Sequence, residues 1–144
     1  MSELFKIVLV TLLTVSGAIV IGQIITSFFI QPVHEWLVLK GEIIDSLIYH
    51  ANIYCNPGPM NKEVRDETYK ELRRRACQLM GKTYAIRCYR LWELLKVIQC
   101  HQNIKEARRN LIFLSNSLDD AKYMEGNRKT LREIEELLSI KTGV

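Results

Sequence analysis

The chain has 144 residues, with 20 Lys and Arg against 16 Asp and Glu and a formal charge of +4. Once a hydrophobic N-terminus is set aside, about 110 residues remain, which is room for one modest domain and excludes two. Cys55, Cys77, Cys88 and Cys100 lie 22, 11 and 12 residues apart with no CxxC pair. That spacing argues against a zinc or disulfide framework and points to reduced core thiols in a cytoplasmic domain.

No charged residue occurs between Lys6 and His34. At ~1.5 Å rise per residue this stretch exceeds the ~30 Å of a hydrocarbon core. A cleaved signal peptide is the competing reading, but its apolar region would end after ~7–15 residues, and this one continues to Ile30. The expectation is therefore a membrane helix within residues 1–33 and a helical domain over residues 34–144. Lys6 and Lys40 are too sparse for the positive-inside rule to orient the span. The thiols and the lack of an Asn-x-Ser/Thr sequon place the domain in the cytoplasm and the N-terminal tail outside.

Within the span, Thr11, Thr14, Ala18, Gly22 and Thr26 recur at three- and four-residue steps, a small or hydroxylated stripe that lets helix backbones approach closely in lipid. Gln23 lies beside it. A primary amide in hydrocarbon calls for a neighbouring helix or a wet interior. With one span per chain, such neighbours are other copies; the alternative is a lone anchor whose Gln23 reaches the headgroups.

Past Pro32 the periodicity stays helical. Val33, Trp36, Leu37, Ile44, Leu47, Ile48 and Ala51 predict a core helix fed directly by the membrane helix, ending at Asn56-Pro57-Gly58-Pro59. A second helix is expected near Asn61, with Glu63, Asp66 and Glu67 early and Val64, Leu72, Ala76, Leu79 and Met80 inward. A third apolar run covers Tyr89 to Ile98. Asn103 with Glu106 resembles a capping box ahead of Ile104, Ala107, Leu111, Leu114 and Leu118, and Asn127 opens a last helix through Leu131, Ile134 and Leu138. The fold class is all-α.

From Lys70 to Arg90 seven cationic residues face the single acid Glu71, a net +6 in a chain that totals +4. Tyr84, Tyr89 and Trp92 are interleaved with them, and Arg108 and Arg109 add a second basic turn. Guanidinium forks suit phosphates, and aromatic faces stack on unpaired bases, so this mixture fits a short single strand better than a duplex. A solvated helix face and a patch on anionic lipid headgroups remain the alternatives. Arg73, Arg74, Arg75, Arg87, Arg90, Arg108 and Arg109 are candidate phosphate partners; Tyr84, Tyr89 and Asn116 are candidate base partners. Three consecutive arginines spread over about 200° of a helix, so they cannot all face one ligand.

Catalytic signatures are missing: there is no GxSxG, Walker loop or HExxH, and His34, His50 and His101 stand isolated. Neither a metal nor a cofactor is expected, and the pattern argues against an enzyme. Ser115-Asn116-Ser117 interrupts an apolar helix, either as satisfied core polarity or as a ligand contact.

The stretches FFIQPVHEWLVLKGEIIDSLIYHANIYCNPG, LRRRACQLMGKTYAIRCYRLW and ARRNLIFLSNSL resemble a family of small single-span bacterial membrane effectors of antiphage defence, typified by the Hailong system. The similarity covers roughly residues 28 to 118. It implies a homotetrameric channel in the bacterial inner membrane whose cytoplasmic domains bind a short oligodeoxyadenylate made by a nucleotidyltransferase encoded nearby. That ligand would hold the channel closed, and its loss would depolarise the cell. Two alternatives stay open: an effector opened by a cyclic oligoadenylate from a type III CRISPR system, and a membrane-tethered nucleic-acid-binding module without a pore.

Overall fold

The computed structural model describes residues 3–59 and 61–143. The protein is all-helical, with no strand among the described residues. A membrane-length apolar helix, α1 (Glu3–Ile25), runs through a π turn (Thr26–Ile30) into α2 (Gln31–Tyr49), so that one helical segment extends from Glu3 to Tyr49. At 1.5 Å per residue it is about 70 Å long, more than twice a hydrocarbon core. No residue of α1 is buried.

The π turn has an identifiable cause. Pro32 has no N–H to give the carbonyl of Phe28, and its ring would crowd that carbonyl in an ordinary α-helix. The ladder widens by one residue just before it, with Gln31 N–H bonding Thr26 O. A proline that would otherwise kink the helix is thereby absorbed.

Below the π turn the helices form an up-and-down bundle. α2 buries Val33, Trp36, Leu39, Ile43 and Leu47, one face at three- and four-residue steps. α4 (Lys62–Ala85) buries Thr68, Leu72, Ala76, Leu79 and Thr83; α6 (His101–Asn116) buries Ile104, Ala107, Leu111 and Leu114; α7 (Met124–Leu138) buries Leu131, Ile134 and Leu138. Short helices α3 (Ala51–Cys55) and α5 (Tyr89–Leu94) sit in the connections. Side-chain contacts fix the antiparallel order. Trp36 near the start of α2 meets Thr83 near the end of α4, while His50 after α2 meets Thr68. Tyr84 lies by His101, and Arg65 bonds Asp119 at the far end; Asn110 and Glu133 join α6 to α7. The end of the domain next to α1 therefore carries the C-terminus of α4, all of α5 and the N-terminus of α6.

Several expected details differ. Leu37 and Ile48 point outward, and the inward positions are Leu39 and Ile43. Val64 is exposed as well. Asn103 does not cap α6, which begins at His101 behind Cys100. Asn127 is not a helix start either: it is fully buried one turn inside α7. Its amide donates to Tyr54 O at 2.8 Å and Ser117 O at 3.3 Å, and its oxygen accepts from Ser117 Oγ at 2.5 Å. One side chain thus ties α3, α6 and α7 together. The cysteines are free, but Cys77 and Cys88 lie on the surface rather than in the core.

Candidate nucleotide-binding face

The basic and aromatic residues separate according to the face of α4 they occupy. Consecutive helical residues diverge by ~100°, so Arg73, Arg74 and Arg75 point three ways. Arg75 turns toward α2, where its side chain is only 14% exposed and bonds Glu71 at 2.8 Å and Glu42. Arg74 points outward and pairs with Glu71 at 2.7 Å. Arg73 turns to the α6 side, its guanidinium 4.9 Å from the ring centre of Tyr69.

Two hollows follow from this division. Between α2 and α4 lies one of about 450 Å³, lined by Asp45, Ser46, Tyr49, His50, Glu67, Lys70, Glu71, Arg74 and Arg75. Its three acids match its three bases, so the charge available to an anion is largely cancelled within the wall. Burial holds His50 below the usual imidazole range, with Glu67 and Glu71 pulling the other way.

The second hollow, between α4 and α6, measures about 340 Å³ and is lined by Met80, Tyr84, Gln102, Lys105, Glu106, Arg108 and Arg109. Three cations face one acid here. Arg109 pairs with Glu106 at 3.1 Å while its side chain stays 75% exposed, a surface pair worth roughly 0–1 kcal/mol that a phosphate could displace. Beside the hollow, the His101 ring stacks on Tyr89 at 3.9 Å and lies 6.2 Å from Tyr84. α6 begins at this point with no acid in its first turn, which leaves the positive end of its dipole uncompensated.

Of the candidate residues, Tyr84, Arg108 and Arg109 are thus brought together by the packing of α4 on α6. Arg73 continues the same side of α4 about three turns from Tyr84, away from α1. Exposed Asn116 ends α6 about 12 Å beyond Arg108 at 1.5 Å per residue. Its neighbours Ser115 and Ser117 are buried and satisfied by Ile112 O and Leu114 O. Tyr89 is half-buried and donates its hydroxyl to Gln99 O; burial raises that phenol above its ordinary range, and only its ring is offered to a ligand through His101. Arg87 and Arg90 stand apart on the α5 loop, where the Arg87 guanidinium lies 4.9 Å over the Phe28 ring. Lys105, Gln102, Met80 and His101 were missed by sequence reasoning. Lys105 precedes Arg109 by four residues and Met80 precedes Tyr84 by four, the helical spacing that signals a shared face.

Thr11, Thr14, Ala18, Gly22 and Gln23 on α1 and Thr26 at the start of the π turn are all exposed. Thr11 and Thr14 turn their hydroxyls back to Ile7 O at 2.9 Å and Val10 O at 2.6 Å, so neither carries an unsatisfied donor into an apolar setting. A Cβ placed on Gly22 would meet nothing within 4 Å, so packing within the chain does not require glycine there. Neither protein-family models, nor curated proteins, nor solved structures provide a match to this chain.

Proposed function

We propose that the chain is a membrane effector of bacterial antiphage defence. In this reading α1 crosses the inner membrane and assembles with other copies, four by the resemblance to Hailong-type effectors, into an ion-conducting bundle. The small stripe from Thr11 to Thr26 provides the contact between copies, and the domain lies in the cytoplasm. There the α4/α6 face binds a short single-stranded adenine oligonucleotide supplied by a nucleotidyltransferase, and the bound state is closed. The observation that carries the reading is the continuous helical segment Glu3–Tyr49, half span and half domain core, because a rigid connection transmits motion where a flexible linker would dissipate it. The +2 hollow with Tyr84 at its rim supports the choice of an anionic, stacking ligand.

The test is ion flux from liposomes containing the full chain, followed with a potential-sensitive dye. Flux without ligand, suppressed by oligodeoxyadenylate less effectively as salt rises, is the expected result, since phosphate contacts release counterions. Arg109→Glu should leave the flux on in the presence of ligand. Flux that appears only with cyclic oligoadenylate would replace the ligand and reverse its sign. No flux in any condition would remove the pore and leave a tethered binding module.

A further inference from the structure

α5 is amphipathic in an unusual sense. Tyr89 and Trp92, at i and i+3, lie against the core, while Leu91, Leu94 and Leu95 share the opposite face and are 51%, 79% and 58% exposed. The leucines are flanked by exposed Arg87, Arg90 and Lys96. Both ends of this short helix are held in the left-handed region by non-glycine residues, Cys88 at φ 51° and Lys96 at φ 57°. The fold therefore retains two strained residues around a helix that turns three leucines toward solvent.

The height of the loop indicates what covers them. Arg87 stacks on Phe28, which lies near the lower end of the uncharged stretch between Lys6 and His34. An apolar centre with a cationic rim at that level matches an anionic bilayer surface. We propose that the α5 loop is a second membrane contact, with Leu91, Leu94 and Leu95 inserted at the boundary of headgroups and acyl chains and Arg87, Arg90 and Lys96 on lipid phosphates. This rests on the reading that α1 spans the same membrane. It assigns one part of the basic patch to lipid and leaves the α4/α6 face to the nucleotide, and it holds the domain against the bilayer at a second point besides the helix.

The test uses the full chain in vesicles of phosphatidylglycerol and brominated phosphatidylcholine, with a bimane label at one position at a time. Leu94→Cys, made with Cys77→Ser and Cys88→Ser, reports on α5. Native Cys77, made with Cys88→Ser, reports on the exposed middle of α4; Leu13→Cys, again with both serine replacements, reports on the span away from the small stripe. The unlabelled-site parent supplies the background from half-buried Cys55 and Cys100. The label at residue 94 should be quenched severalfold more than the label at 77. Quenching at 13 with none at 94 beyond that at 77 overturns the lipid contact and leaves the span intact. A label at 94 that escapes bromolipid and is also shielded from aqueous iodide places a second copy over α5, which likewise overturns it. No quenching at 13 would remove the spanning helix, and with it the proposed pore as well as the lipid contact.

Discussion

Replacing Asn127 separates two physical accounts of the same residue. As the N-cap that its sequence position suggests, Asn127→Ala would cost about 1 kcal/mol and Asn127→Asp next to nothing, since Asp caps as well and favours the dipole. As the buried hub that the fold contains, both changes are severe. Three hydrogen bonds are lost in the alanine variant, at about 1 kcal/mol each net, and the Tyr54 and Ser117 carbonyls are left in a dry site where an orphaned group costs about 1–3 kcal/mol. Partial relaxation brings the total to about 4 kcal/mol, or roughly 15–30 °C in melting temperature for a domain of this size. Asn127→Asp keeps the shape but places an acceptor against two carbonyls, so it should cost about 3 kcal/mol or more at neutral pH.

The measurement is urea unfolding of the full chain in detergent micelles, read through the near-ultraviolet dichroism of buried Trp36. The expected result is a large loss for both variants, with Asn127→Asp no better tolerated than Asn127→Ala within about 1 kcal/mol. An alanine variant that loses 1 kcal/mol or less, or an aspartate variant that matches the parent, would refute the hub.

The two flanks of α4 should respond differently to alanine: Arg75→Ala should cost about 1–2 kcal/mol by removing its ion pairs to part-buried Glu71 and exposed Glu42, whereas Arg73→Ala should stay within about 0.5 kcal/mol, as urea midpoints would report. Trp36→Phe should cost about 1–2 kcal/mol in the same assay; it removes the 3.0 Å bond to Thr83 Oγ, but Thr83 keeps its bond to Leu79 O, so no buried hydroxyl is orphaned. His50 gives a pH dependence: burial holds its folded-state pKa below the ordinary imidazole value of 6.5, so the unfolded chain takes up the proton first. Stability should be full above pH 6.5 and decline as pH falls toward the lowered value, and His50→Gln should flatten that slope.

The helices were legible because each bundle helix repeats apolar residues at three- and four-residue steps, a signal that tertiary packing reinforces. Their ends were less legible. Asn103 and Asn127 both carry the side chain of a cap, but at Asn127 the amide serves as a buried three-way hydrogen-bonding centre, and only the position of Tyr54 and Ser117 decides that. The run from Tyr89 to Ile98 reads as core by composition. What turns Leu91, Leu94 and Leu95 outward is the left-handed backbone at Cys88 and Lys96, residue types that announce no such turn. For the candidate site, the divergence of the three arginines followed from helix geometry. The meeting of Tyr84 with Arg108 and Arg109 did not, because it depends on the antiparallel register of α4 and α6, which no local pattern encodes.

That register bears on how a ligand on the α4/α6 face could reach the membrane. Tyr84, Met80 and Arg73 lie on one flank of α4, whereas Arg75 and Lys82 lie on the other and bind Glu42 and Glu35 of α2. A nucleotide in the hollow therefore need not touch α2 at all. Any shift it imposes passes through α4, and the nearest exit is Thr83, the residue beside Tyr84, whose hydroxyl accepts the indole N–H of Trp36. Trp36 is fully buried and stands six residues past the π turn. The α2 helix is held to α4 again at its far end by His50 and Thr68, so in the proposed gating small displacements at Thr83 are opposed at both ends rather than relieved by sliding the two helices past each other. They are passed instead to the short stretch between Trp36 and Thr26, where the ladder is already widened at Pro32. In the proposed gating, the π turn is then the element that yields, and the stripe on α1 is what moves.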